Sequence, residues 1–360
     1  YNKNLSKEEI INFTKAIVNR GSKINFNKKI IVDKHCIGGI PNNRTTMIVT
    51  PILAAAGLTV PKTSSRSITS ASGTADTMEV LANVPVDFDK IPEILKKAKG
   101  FIIWGGTSNL ADADDNLIEV RHSMNLDPTG MVLASVLAKK KAAGSTHVLI
   151  DIPYGKNAKA TYSEAKVWRK NFEKIAKLID LKLKVILTKG EQPIGKGIGA
   201  YLEAQDVLKT LKCQADAPKD LRDKALKMAG MLLEMAGKAE KNQGYKMAEE
   251  TLNSGKAYKQ FEKIMEAQGP APFTVTAAKH THILKAGKSG TVREIHIKKV
   301  SKTALMLGAP KDKSAGVYME CRLGDKVSKG DTLMTLHYNN KENLDVLLKQ
   351  KLLSEIFTIK

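Results

Sequence analysis

The residues best suited to chemistry form one run, Asp33-Lys34-His35-Cys36-Ile37-Gly38-Gly39-Ile40-Pro41-Asn42-Asn43-Arg44-Thr45-Thr46, between a predicted strand at Ile30-Ile31-Val32 and a predicted helix after Arg44. Paired glycines let a backbone approach a ligand closely, and the amides of a helix start favour negative charge. Lys34 adds a point charge, and the hydroxyls of Thr45 and Thr46 add donors. The chemistry this points to is oxyanion binding, with an ordinary tight strand-to-helix turn as the other reading of the same residues. Neither the Walker spacing nor a dinucleotide fingerprint is present.

A second run, Thr63 to Asp76, again lies between a predicted strand and a predicted helix, and nine of its fourteen residues are Ser, Thr or Gly. Hydroxyls and amides at a second helix start would complete a phosphate cradle opposite the first. A flexible serine-rich loop with capping fits the composition too. Two such loops in one α/β unit, each beyond the carboxyl end of a strand, would face the crevice where open sheets bind ligands.

The remaining reactive side chains give weaker signals. Cys36, Cys213 and Cys321 are far apart, which argues against a disulfide framework and for a reducing cytoplasm. Cys36 has no evident His-Asp partnership and reads as a small buried residue, not as a nucleophile. The role of His35 is open. His280-Thr281-His282 puts two imidazoles on one side of a strand without a third ligand, so no metal site is expected. Nothing calls for a cofactor. Gly324 to Asp331 resembles the hairpin turns of lipoyl-type barrel-sandwich modules, but no lysine stands at a recognisable modification tip.

Positioning these runs requires a sheet with helices on it. Phe101 to Trp104, His147 to Ile150 and Val185 to Leu187 read as buried strands; the stretches after Gly73, Met131, Thr161 and Gly199 read as helices. This alternation predicts an α/β fold with a mainly parallel sheet. Ser6-Lys7-Glu8-Glu9 is a capping box opening a helix that Gly21 closes. Asp220 to Gly269 is helical in pattern, and Gly269-Pro270-Ala271-Pro272 marks a boundary. Beyond it, short β-type runs punctuated by glycine predict an α+β module.

Across all 360 residues, 58 Lys and Arg stand against 37 Asp and Glu, a formal net charge of +21. The surplus is diffuse lysine, and with 2 Trp, 8 Tyr and 8 Phe there is little from which to build a base-stacking platform. A basic surface favouring small anions is expected, with no nucleic-acid partner. The longest apolar stretches are well short of the roughly 20 residues of a bilayer span, so no membrane association is expected. Tyr1 in place of an initiator Met predicts that coding sequence upstream of it is missing.

Together the motifs carry a resemblance. Lys34 to Gly39 with Asn43-Arg44-Thr45-Thr46, then Thr63 to Asp76 with Met78-Glu79-Val80-Leu81, resemble the two signature regions of the thymidine/AMP phosphorylase family, nucleoside phosphorylases of the second structural type. Trp104-Gly105-Gly106, Leu126-Asp127-Pro128, Leu133 to Lys140, Ile150 to Pro153, Gln192 to Gly195 and Gly308 to Lys313 continue it, in order, over nearly the whole chain.

The resemblance implies reversible phosphorolysis: inorganic phosphate displaces a nucleobase from C1′ and leaves a sugar 1-phosphate. Positioning and charge stabilisation would then supply most of the acceleration. By position, Lys34, Thr45, Ser64 and Thr74 match the phosphate contacts. Gly39, Ser65, Arg66, Ser67, Ile68, Thr69, Ser70, Ser135 and Lys159 match the nucleotide contacts of the AMP branch, and Asp127 matches that branch's proton donor. Read without the resemblance, Asp127 opens a β-turn, Ser135 packs on an apolar helix, and Lys139 and Lys159 are solvated charges. Leu126-Asp127-Pro128, Lys159 and Ile68-Thr69-Ser70 favour AMP over thymidine as substrate, although thymidine-type relatives share much of that loop.

The implied architecture has three parts: a helical lobe of residues 1–22 and 108–140 on the base side, an α/β phosphate-binding domain of residues 23–107 and 141–270, and a barrel-sandwich-like α+β domain of residues 271–360. At least a homodimer through the helical lobe is implied too. Two departures stand out. Asn42 replaces a usual glycine, which a tolerance of left-handed backbone would explain, and Arg121-His122-Ser123-Met124 shifts by one position the arginine that relatives place near the base.

Overall fold

The computed structural model describes residues 6–20, 28–67, 70–107 and 129–360. Helix α1 (Lys7–Arg20) begins at the expected box: the Ser6 amide donates to Glu9 Oε2 at 2.6 Å and the Glu9 amide to Ser6 Oγ at 3.2 Å. Gly21 lies outside the described residues. Strand β1 (Val32–Cys36), helix α2 (Thr45–Ala55), strand β2 (Val60–Ser64), helix α3 (Thr74–Glu79), helix α4 (Ile91–Ala98) and strand β3 (Gly100–Trp104) follow. Helix α5 (Thr129–Ala142), strand β4 (His147–Tyr154), helix α6 (Tyr162–Leu178) and strand β5 (Lys182–Lys189) complete the sheet layer.

Strands β1, β4 and β5 pair in parallel, as do β2 and β3. The two groups meet through a parallel bridge between Ile31 and Thr59, where the Val32 amide donates to the Thr59 carbonyl at 3.0 Å. The resulting spatial order, β3-β2-β1-β4-β5, makes the chain cross over between β3 and β4. Ligand crevices form at the carboxyl ends of strands around such a reversal.

Both faces are covered, which explains the unbroken apolar runs in the strands. On one face Leu149, Val32 and Ile102 pack with Met47, Ile48 and Ile52 of α2 and with helices α8 (Lys219–Met235), α9 (Gly244–Asn253) and α10 (Lys256–Gln268). On the other, Val148, Ile150 and Ile152 pack with Leu133, Ala134 and Leu137 of α5, Phe172 and Ile175 of α6, and Ile10 of α1. Neighbouring residues of β4 thus serve opposite layers, the period of two expected of a strand.

Strand β6 (Gly197–Ile198) and helix α7 (Ala200–Leu211) precede α8, and the C-terminal part holds β7 (His280–Lys285), β8 (Gly290–Ile295), α11 (Ile297–Met306), β9 (Gly316–Met319), β10 (Lys326–Val327), β11 (Thr332–Tyr338), α12 (Lys341–Leu348) and β12 (Phe357–Ile359). These strands form a four-stranded sheet, β6-β9-β11-β7, and a three-stranded one, β10-β8-β12, both antiparallel. Among the described residues the two sheets do not pair with each other, so the α+β module holds two separate sheets and no closed barrel. Strand β6, from well before Gly269, is hydrogen-bonded into the C-terminal sheet. Among the described residues no helix is long and apolar enough to cross a membrane.

Candidate active site

Strand β1 runs further than its apolar start suggested. Lys34, His35 and Cys36 are paired with Leu149, Ile150 and Asp151 of β4, so these side chains are fixed by sheet register and not by a loop. The chain then turns at Gly38 (φ 140°) and Gly39 (φ 67°), both in backbone that favours glycine. Asn42 does not take the left-handed conformation expected of it; Arg44 does, at φ 59°. Asn42 is held instead by its side chain, whose Oδ1 accepts from Thr45 Oγ1 at 2.7 Å and whose Nδ2 donates to Asp151. Arg44 is wholly buried, 2.7 Å from Asp206 and 3.3 Å from Glu203 of α7. Burial pushes both carboxyls up while Arg44 draws them back.

The second turn, after β2, lies against the first. Asn43 Nδ2 donates to the Ser72 carbonyl at 2.8 Å, and Glu203 takes Thr77 Oγ1 at 3.2 Å. Asp76 of α3 pins the turn at two points, its Oδ2 accepting from the Ser67 amide at 2.7 Å and the Gly73 amide at 3.0 Å. Gly73 is irreplaceable on space alone: a Cβ there would sit 2.7 Å from the Ser65 carbonyl oxygen and 2.8 Å from the Ser67 nitrogen.

The two turns border a cleft of about 780 Å³ at the carboxyl ends of β1, β2 and β3. Of the residues expected in a site, Lys34, Gly39, Ser64, Ser65, Arg66, Ser67, Ser70, Thr74 and Lys159 line it. Thr45 lies beneath, accepting from Lys34 Nζ. Ser135 is buried in α5 and is not among the residues lining the cleft. Asp127, Ile68, Thr69 and Arg121 lie outside the described residues. Arg66 borders the cleft with its guanidinium engaged elsewhere: it is paired with both oxygens of Glu79 and stacked 4.7 Å over the Trp104 ring.

The cleft contains further charges: Lys62 and Lys140, to which the sequence reading gave no role, and Lys139, which it read as a solvated charge. Lys62 of β2 and Lys139 and Lys140 of α5 also line the cleft. Lys62 donates to the Thr63 carbonyl at 2.6 Å, and Lys140 forms a buried pair with Asp33 at 2.6 Å. The alternation of β2 was the available signal, because it turns Lys62 and Ser64 to the same side. Lys34, Lys62, Lys140 and Lys224 meet only two buried carboxylates here among the described residues, Asp33 and Asp151. The consequences are electrostatic. Burial, then Lys140, hold the Lys62 amine well below its ordinary value; burial, with Lys224, lowers Lys34. Burial and the surrounding lysines push His35 well below 6.5, so its imidazole faces the cleft neutral. Burial pushes the Cys36 thiol up to about 12, which leaves it unreactive at neutral pH. A floor rich in buried lysine beside two hydroxyl-rich turns offers the charge and the donors that an oxyanion would need. Among the described residues no group of side chains is arranged to hold a metal.

Residues 28–258 match the glycosyl transferase family, a/b domain, and residues 291–356 match the pyrimidine nucleoside phosphorylase C-terminal domain. The chain belongs to the thymidine/pyrimidine nucleoside phosphorylase family. Among the relatives of this phosphorylase family, a protein of Legionella pneumophila (strain Corby) named "Putative thymidine phosphorylase" is 44% identical over 342 residues, 95% of this chain and 66% of its own length. "Putative thymidine phosphorylase 1" of Acidovorax sp. (strain JS42) is 44% identical over 95% of this chain and 67% of its own length. A protein of Bradyrhizobium sp. (strain BTAi1) with the same name as the first is 46% identical over 91% of this chain and 65% of its own length. The chain thus spans about two thirds of these phosphorylase-family relatives. In fold it is similar to anthranilate phosphoribosyltransferase from Thermus thermophilus, with TM-score 0.58 and 18% identity over 73% of this chain and 85% of that one. The Saccharomyces cerevisiae anthranilate phosphoribosyltransferase gives TM-score 0.56 and 16% identity over 73% and 80%.

Proposed function

We propose that this protein is a nucleoside phosphorylase, a pentosyltransferase in which phosphate attacks C1′ of a bound nucleoside and the base departs. The observation that carries this reading is the direct join of the two turns, Asn43 to Ser72, over a floor with surplus buried lysine. Phosphate would sit between Lys34, Ser64 and Thr74, with Thr45 fixing the Lys34 ammonium. The remaining cations stabilise the oxyanion as it approaches an anomeric centre that gains positive charge in the transition state. Gly39, Ser65, Ser67, Ser70 and Lys159 would face the sugar and base, and Asp127 would hand a proton to the departing base nitrogen. Neutral His35 can accept or donate one hydrogen bond at the same place but cannot act as a cationic acid.

The names of the relatives and the pyrimidine-type C-terminal domain support thymidine or another pyrimidine nucleoside as substrate, with thymine and 2-deoxyribose 1-phosphate as products. A second reading, AMP and phosphate to adenine and ribose 1,5-bisphosphate, draws on Lys139 and Lys159, which line the same cleft as the proposed phosphate contacts. Turnover of thymidine, uridine, AMP, CMP and UMP, measured with and without phosphate, separates the two. Phosphate-dependent release of thymine with no release from nucleotides supports the first. Adenine release from AMP alone supports the second, and no phosphate-dependent release from any of them refutes both. A homodimer or higher homo-oligomer is part of the proposal, checked by light scattering of the purified protein.

A further inference from the structure

Between the cleft and the C-terminal module lies a four-membered ion cluster with no part in the chemistry above. Asp76 and Glu79 of α3 have side chains 4% and 6% exposed, and two cations meet them there: Arg66 from the second turn and Lys313 from the loop between α11 and β9. Lys313 Nζ is 2.9 Å from Asp76 Oδ1 and 3.1 Å from Glu79 Oε2. Against burial, which raises it, Arg66 and Lys313 hold the Glu79 carboxyl below its ordinary value. The lysine is delivered by a braced loop. Asp312 Oδ1 accepts from Ser314 Oγ at 2.8 Å, Asp312 Oδ2 from Asn339 Nδ2 at 2.8 Å, and the Lys313 carbonyl takes the Tyr201 amide at 2.9 Å.

We propose that Lys313 is a positioning residue for the oxyanion cradle, through which the C-terminal module fixes the shape of the second turn. The reasoning follows the bonds. Asp76 holds the Ser67 and Gly73 amides with one oxygen, and its other oxygen takes Lys313 Nζ at 2.9 Å and, more loosely, Arg66 at 3.4 Å. Glu79 holds Arg66, and Arg66 covers Trp104 at the cleft wall. With Lys313 present, two cations balance two carboxylates. Without it an uncompensated negative charge lies under a turn that must receive an anion, and Arg66 alone is shared between both acids. The inference rests on the phosphorylase reading only for the identity of the anion.

The test uses the whole chain with Lys313→Met, Lys313→Arg and, as a control for loss of surface charge, Lys311→Met. Binding is read by the stabilisation that inorganic phosphate or sulfate gives against heat, and by KM for phosphate in the phosphorolysis assay. Lys313→Met is expected to weaken phosphate about ten-fold, the scale of one coupled pair. KM for phosphate should rise accordingly while kcat at saturating phosphate stays within about three-fold. Lys313→Arg restores most of the affinity, and Lys311→Met leaves it unchanged. Lys313→Gln, which keeps a donor without the charge, serves if the Met variant does not fold, with the same expectation. Asp76→Asn combined with Lys313→Met should bind phosphate no worse than Asp76→Asn alone. Wild-type phosphate affinity in both Lys313→Met and Lys313→Gln, an equal loss in Lys311→Met, or additive losses in the double variant overturn the proposal. Wild-type protein that binds phosphate but turns over no nucleoside leaves this inference standing and removes the phosphorylase reading; wild-type protein that binds neither anion removes both.

Discussion

Replacing Lys34 by Met separates a ligand-binding lysine from a structural one, because the two roles predict opposite balances of binding and stability. Lys34 is 2% exposed, and its ammonium is held by Thr45 Oγ1 and by Asn42 Oδ1 at 3.3 Å. A phosphate oxygen in contact with it, about 4 Å between charges at an effective dielectric of about 20, would gain about 4 kcal/mol. Truncating one partner of a buried hydrogen-bonded charge pair costs about 2–5 kcal/mol. Taking about 3 kcal/mol, phosphate affinity and kcat/KM for phosphate should fall by about two orders of magnitude. The free protein should hardly notice. The lost hydrogen bonds are worth about 1 kcal/mol each, and they are offset because Lys34 no longer adds to the surplus charge shared with Lys62 and Lys224. The assay is thermal unfolding across a titration of sulfate, which cannot react, alongside phosphate-dependent turnover. A variant that melts far below wild type yet keeps the full sulfate-induced stabilisation would show Lys34 to be structural and remove the cradle's central charge.

Other consequences follow from the same geometry. Gly73→Ala forces a Cβ against the backbone of Ser65 and Ser67, so it should cost about 1–3 kcal/mol and abolish sulfate-induced stabilisation; a variant that binds sulfate normally shows that the turn is not held as described. Arg44→Met strands Glu203 and Asp206 in the interior and should cost about 3–5 kcal/mol near neutral pH, in chemical denaturation. Both acids have folded values raised above their unfolded ones, so this deficit shrinks as pH falls towards the ordinary carboxylate range; a pH-independent deficit contradicts the assignment. Sulfate binding should take up protons at pH values below the ordinary lysine range, since an anion raises the depressed values of Lys34 and Lys62; calorimetry in two buffers of different ionisation heat reads the uptake, and none at any pH up to that range contradicts the assignment. His35 lies below 6.5 in the folded protein, so the unfolded chain binds the extra proton between the two values and stability rises with pH through that window; His35→Gln should flatten the slope there, and an unchanged slope excludes a depressed value for this half-buried imidazole.

Much of this site could be read in the sequence because turns and helix starts declare themselves locally. Gly38-Gly39 and Ser72-Gly73 stand where the chain leaves β1 and enters α3, and helices begin at Thr45, Thr74 and Tyr162 close to the expected points. Strand ends were harder. The apolar run Ile30 to Val32 announces a strand, but Ile30 is exposed, β1 begins only at Val32, and it continues through Asp33, Lys34 and His35, whose polarity reads as loop until a neighbouring strand is present to pair with them. The C-terminal module shows the complementary limit. Its glycine spacing declared hairpins, while the pairing of β6 with β9 joins residues more than a hundred positions apart and leaves no local mark.

The same limit explains which charges were missed, and it bears on how the cleft works. Read singly, Lys62, Lys139 and Lys140 are surface lysines of a basic chain, and helix α5 places two of them over the sheet only because Leu133, Ala134 and Leu137 pack against β4. A lysine's meaning here depends on how many others share its cavity. One buried ammonium beside Asp33 would be a satisfied pair. Three lysines around it leave a positive field, which lowers the Lys34 and Lys62 amines and which a further anion would relieve, at the point where β1 and β2 deliver their turns. On the proposed reading, affinity for an oxyanion would be a collective property of the sheet's topology, and each of these lysines should matter less once another has been removed. In a Lys34→Met background, Lys62→Met should cost phosphate binding less than it does in wild-type protein, because the first substitution has already discharged part of the field. Equal costs in both backgrounds would mean that the two cations act on separate groups and that the floor is not one site.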